Sequence, residues 1–146
     1  GQKNFPSHNG FLQLTGETQL AMGNVEAAKS AFQRSIKLNA KDKSSHSSLA
    51  NLYFDLGKYV YAALSFSDVI YLDPDDSDSR YMQGLSYFKA KEWGRAAAAW
   101  EDLLHYKPDN EVVRVLLPQT YYILAIEYNR LGNPSMGKHH LKMPCL

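Results

Sequence analysis

The stretch Lys43 to Asp76, KSSHSSLANLYFDLGKYVYAALSFSDVIYLDPDD, decides the fold. Its Ala62 and Phe66 stand 34 residues after Ala28 and Phe32, and 34 before Ala96 and Trp100. Other columns keep the same interval: Gly23 with Gly57, Tyr53 with Tyr87, Phe54 with Phe88, Leu38 with Leu72 and Tyr106, and Pro74 with Pro108. A fixed period shared by several columns marks stacked copies of one supersecondary unit, none of which can bury its apolar face alone.

Within the unit, apolar residues recur at helical spacing in two segments of about 14 residues, so each copy reads as a helix-turn-helix. In Lys43 to Asp76 the first helix is expected over about Lys43 to Leu56, with Leu49, Tyr53 and Leu56 on one face. Gly57 supplies the left-handed conformation that stops a helix. The second helix is expected over Tyr59 to Leu72 and ends at Asp73-Pro74, because proline cannot continue the hydrogen-bond ladder. Small residues at Ala50 and Ala62, and at Gly84 and Ala96, let the two antiparallel helices of a hairpin approach. Phe66 and Trp100 are expected to fill the space between one hairpin and the next, and truncating either to Ala to cost about 3–5 kcal/mol.

The pattern His46, Leu49, Ala50, Tyr53, Ala62, Phe66 and Pro74 resembles the tetratricopeptide repeat, and so does Arg80, Gln83, Gly84, Tyr87, Ala96, Trp100 and Pro108. A first copy carries Leu12, Gly16, Gly23, Ala28 and Phe32 but has Gln19 in the aromatic position and Ala40 in place of proline. A fourth regains the register at Tyr121, Ala125, Tyr128 and Gly132 only after seven inserted residues. Seven residues are nearly two helical turns and rotate the face by only about 20°. Glu111 to Leu131 is therefore expected to be one long helix kinked at Pro118, with two helices opened at Pro118 as the alternative. Pro134 to about Met143, carrying Lys138, His139 and His140, is expected to close the array as a short polar cap.

The expected fold is thus all-α, a right-handed α-solenoid of antiparallel helix hairpins with about four repeats, the fourth irregular. Residues 1–8 are expected to be a linker or a cloning-derived N-terminus, and residues 9–146 a single domain with repeats at 9–42, 43–76, 77–110 and 111–146. The resemblance implies that first helices of the units line a concave groove where a partner peptide or helix lies. By repeat position, the groove residues are Gln13, Glu17, Asn51, Phe54, Tyr81, Leu85, Phe88, Tyr122 and Ile126. Asn51 would bond a ligand's backbone, and the aromatic residues would anchor apolar side chains. Family members that grip an acidic C-terminal tail use Lys, Arg and Asn on this face. The matching positions here are Gln13, Ser48, Asp78 and Met82, with Asn51 alone in keeping, so that carboxylate clamp is absent.

No catalytic constellation is visible. His8, His46, His105, His139 and His140 form no metalloprotease pair and no zinc-spaced set with cysteine, and the glycines occur singly rather than in a phosphate-binding loop. Asp73, Asp75, Asp76 and Asp78 lack the glycine and distal glutamate of a calcium loop and read as a turn whose Asp or Ser caps the next helix. The lone Cys145 leaves no intramolecular disulfide. No catalytic residue, metal or cofactor is expected, and the chain reads as a protein–protein interaction scaffold, not an enzyme.

A net charge of +1 with scattered Lys and Arg gives no field to attract nucleic acid, and no apolar run reaches the roughly 20 residues that cross a bilayer. The reading is a soluble protein that binds another protein, with no nucleic acid and no membrane insertion, placed in the cytoplasm or, where a signal has been removed, in the periplasm. Val112, Val113, Val115, Leu116, Leu117, Tyr121, Tyr122, Ile123 and Ile126 are together too apolar for one buried face. The alternative is therefore self-association, a homodimer through Glu111 to Leu131.

Overall fold

A computed structural model describes residues 8–132. Among them are helices α1 (His8–Ala21), α2 (Val25–Leu38), α3 (Lys43–Asp55), α4 (Tyr59–Leu72), α5 (Ser77–Lys89), α6 (Trp93–Tyr106) and α7 (Glu111–Arg130), with no strand. The fold is all-α, and helices pair in chain order into the hairpins α1/α2, α3/α4 and α5/α6. α1 begins at His8, inside the expected N-terminal linker. The expected closing helix from Pro134, with Lys138, His139 and His140, lies outside the described residues. None of the described helices is long and apolar enough to cross a membrane.

The chain divides into two compact units between Pro74 and Asp75. In the first unit α2 also packs on α3. Its core holds Ala28, Phe32, Leu49 and Leu52, with Val25, Ile36 and Tyr53 half-buried around it. In the second unit α7 packs on α6, and Trp100 is fully buried in a cluster with Ala97, Leu103, Leu104, Val113, Leu117 and Tyr121. Each of the larger buried side chains contributes about 1.5–3 kcal/mol, which is what holds short helices that would be marginal alone.

The periodicity continues into the turns. α1 and α3 end in the same motif, in which Gly23 and Gly57 take φ of 81° and 75°. The N–H of the next residue reaches back five positions, Asn24 to Gln19 at 2.8 Å and Lys58 to Tyr53 at 2.8 Å. After α5 the same bonds form, Glu92 N–H to the Tyr87 carbonyl at 2.9 Å, but the left-handed position is Lys91 (φ 63°). At the N-termini of α5 and α7, Asp76 accepts from the Ser79 N–H and Asn110 from the Val113 N–H, each at 3.0 Å. The expected cap in the Asp-rich turn is therefore Asp76.

α7 runs through Pro118 as one 20-residue helix rather than as two helices opened there. Tyr121 in it donates its hydroxyl to the Glu101 carboxylate, and burial, reinforced by that neighbouring charge, pushes the phenol well above its ordinary range.

The small residues of each repeat have a sharper role than helix approach alone. A Cβ on Gly16 would lie 2.6 Å from Cε1 of Phe32, and one on Gly84 would lie 2.6 Å from Cε2 of Trp100. The glycine in the first helix clears room for the aromatic ring of the second, 16 residues later in both hairpins.

Candidate functional site

In the first unit Gln13 and Glu17 sit one turn apart on α1, which puts them on the same side of the helix. The Gln13 amide donates to Glu17 Oε1 at 3.2 Å and also to the Ser44 hydroxyl. On α3, Asn51 is exposed, while Phe54 is half-buried with its ring edge-on to Tyr59 at 5.3 Å. Phe54 thus lies beside the turn between α3 and α4, and offers only part of its ring.

In the second unit Tyr81, Leu85 and Phe88 come together, all half-buried against the Trp100 cluster. Tyr81 stacks on Trp100 at 6.4 Å between centroids and 19° between planes. Phe88 tilts against Trp100 at 5.8 Å and meets Trp93 edge-on at 5.0 Å. The indole N–H of Trp100 donates to the Tyr81 carbonyl at 3.2 Å, so the ring that supports the other two is fixed at both its polar and its apolar ends. These residues hold up the hairpin as well as facing outward. Tyr122 and Ile126, one turn apart on α7, are by contrast 60% and 49% exposed.

Sequence reasoning passed over Trp93, and it passed over a cavity of about 580 Å³ in the first unit lined by Arg34, Lys37, His46, Leu49, Ser65 and Asp68 among others. The 34-residue columns could not show the cavity, since Arg34 and Lys37 have Asp68 and Tyr71, not basic residues, in the same columns. A basic pair at Arg34 and Lys37 on one side of α2 was the available signal.

Two tetratricopeptide repeat models match the sequence, one over residues 14–77 and one over 78–110, about two thirds of the chain together. The chain belongs to the tetratricopeptide repeat family. Among individual curated proteins, none matches. Solved tetratricopeptide repeat structures show the same fold at low identity. One is the first such domain of Spaghetti (RPAP3) bound to the HSP90 peptide SRMEEVD, at 18% identity over 79% of this chain and 94% of that one, with a TM-score of 0.61. The second such domain of human RPAP3, in complex with the HSP70 peptide SGPTIEEVD, shares 19% identity over 77% and 97%, with a TM-score of 0.63. MamA shares 20% over 97% and 78%, with a TM-score of 0.62.

Proposed function

We propose that this tetratricopeptide repeat chain is a non-catalytic interaction scaffold that holds a peptide or helix of another protein. The partner would meet Gln13, Glu17, Asn51 and Phe54 in the first unit, and Tyr81, Leu85, Phe88, Tyr122 and Ile126 in the second. The observation that carries this reading is the support of Tyr81 and Phe88 by Trp100. Aromatic rings already held by packing lose little rotamer freedom on binding, and such rigid anchors dominate interface energies. The peptide complexes of the two RPAP3 domains support a protein partner, although the acidic-tail clamp of such proteins has no counterpart at Gln13, Ser48, Asp78 and Met82. A net charge of +1 argues against nucleic acid.

Peptides selected from a random library on the intact protein test the proposal. Tyr122→Ala with Ile126→Ala removes exposed side chains and should weaken the selected peptides at least tenfold, about 1.4 kcal/mol or more, without lowering the melting temperature. Undiminished binding by that variant and by Asn51→Ala would remove these residues from the site. Tyr81→Ala with Phe88→Ala is a poorer probe, since both rings brace the core.

A second reading, self-association through α7, is favoured by the exposure of Val112 and Val115 beside Tyr122 and Ile126.

A further inference from the structure

A hollow of about 580 Å³ in the first unit opens among α2, α3 and α4, and another of about 200 Å³ opens between α1 and α2. Arg34 and Lys37, one turn apart on α2, line both. Both are exposed, and neither makes a hydrogen bond or ion pair to another described residue. Two adjacent cations left to solvent over a concavity of ligand size mark a place for an anion.

The inner wall of the larger hollow points the same way. Ser65 is 8% exposed, and its hydroxyl has no hydrogen-bond partner among the described residues. Buried hydroxyls are nearly always partnered, so this one is left for something that enters the hollow. His46, also 8% exposed, is oriented by the Ala40 carbonyl 2.8 Å from Nε2. A carbonyl only accepts, so Nε2 carries the hydrogen and Nδ1 turns to the side of Asp68, 3.8 Å away. Leu49 and Ile36 add an apolar strip.

We propose that this hollow binds a carboxylate on a short apolar stem, the side chain of an acidic peptide residue or a small organic acid. Arg34 and Lys37 donate to the carboxylate, Ser65 gives it a third hydrogen bond, and the stem lies along Leu49 and Ile36. Asp68 sets the charge class: against two cations it leaves room for one negative charge and repels a second, which disfavours a phosphate dianion. None of these residues belongs to the partner surface proposed above, and the site stands or falls independently of it.

Amide chemical shifts report the site directly. Acetyl-Gly-Glu-Gly-amide and valerate are titrated into the protein, with acetyl-Gly-Gln-Gly-amide and inorganic phosphate in parallel. Saturable shifts at residues 30–37, 46, 49 and 65–68 with either carboxylate, at a Kd of about 1 mM, and none with the glutamine peptide, are expected. Binding of the glutamate peptide assigns the source as a peptide, and binding of valerate alone assigns it as a small acid. Arg34→Gln with Lys37→Gln should weaken the carboxylate about tenfold or more with no change in helicity, since both side chains are exposed. No shift with either carboxylate, phosphate binding tighter than both, or undiminished affinity in the double variant would each overturn the proposal.

Discussion

A single methyl group measures how tightly the repeat is built. At Gly84 an added Cβ would press into the indole of Trp100, which is fully buried. Overpacking of this kind costs about 1–3 kcal/mol, while replacing a helical glycine by alanine returns about 1 kcal/mol of helix propensity. Packing wins at this site. At Gly94, in the first turn of α6, a Cβ meets nothing within 4 Å. Only the propensity acts there. Gly84→Ala is therefore expected to lose up to about 2 kcal/mol and Gly94→Ala to gain about 0.5 kcal/mol, the same substitution with opposite signs, measured by urea denaturation at constant m-value. Equal effects at the two sites would mean that Trp100 yields. The sequence showed that position 84 must be small, because it shares a column with Gly16 and Ala50. That the neighbour is an aromatic ring 16 residues on required the packing. Depth was illegible for the same reason in Tyr81 and Phe88: a period reveals which side of a helix a residue occupies, not how far the next helix covers it.

At the scale of elements, what the period could reach was read almost to the residue. α3 and α4 begin where the apolar spacing and Gly57 place them, and α4 stops at Leu72 before Asp73-Pro74. Polar contacts between elements left no such trace. In the first unit the Asp42 carboxylate accepts from the Asn9 amide at 3.0 Å and from the Ser45 hydroxyl at 2.7 Å. The fully buried Ser35 donates to the Asn9 carbonyl at 2.8 Å, which ties α1 and α2 to the start of α3. In sequence those residues look like ordinary caps and solvated faces. The helix-ending motif carries a prediction of its own. Gly23, Gly57 and Lys91 fall 34 residues apart and share one left-handed backbone, so Lys91 bears a strain that the two glycines avoid. A left-handed non-glycine residue costs about 1–2 kcal/mol, and glycine's greater freedom in the unfolded chain offsets about 0.5–1 kcal/mol of its removal. Lys91→Gly should therefore stabilise the protein by about 0.5–1 kcal/mol, seen as a higher urea midpoint. A lower midpoint would show that the lysine side chain makes a contact worth more than the strain.

For the whole molecule, α7 carries the second proposed contact, self-association. α7 buries Val113, Leu117, Thr120 and Leu124 on one side, and on the opposite side exposes Val112, Val115, Tyr122 and Ile126. With Gln119 between them, those four follow the spacing i, i+3, i+7, i+10, i+14, the seam of a two-helix coil. A homodimer covers eight such side chains, four from each copy, and because each is only 49–60% exposed, covering it is worth about half of about 1.5–3 kcal/mol, about 6–12 kcal/mol together, against an association cost of about 4–15 kcal/mol. The terms nearly cancel, so a homodimer through this face would be weak and dependent on concentration. Light scattering over a wide range of concentration should show the mean mass rising from that of a monomer, and Val115→Lys should hold it at the monomer without altering the melt, because Val115 is 60% exposed. Val115 is outside the surface proposed for the partner, so the same variant separates the two readings. If it abolishes dimers and still binds the selected peptides, both faces are used. A monomer at every concentration leaves α7 to the partner, with Tyr122 and Ile126 as its anchors.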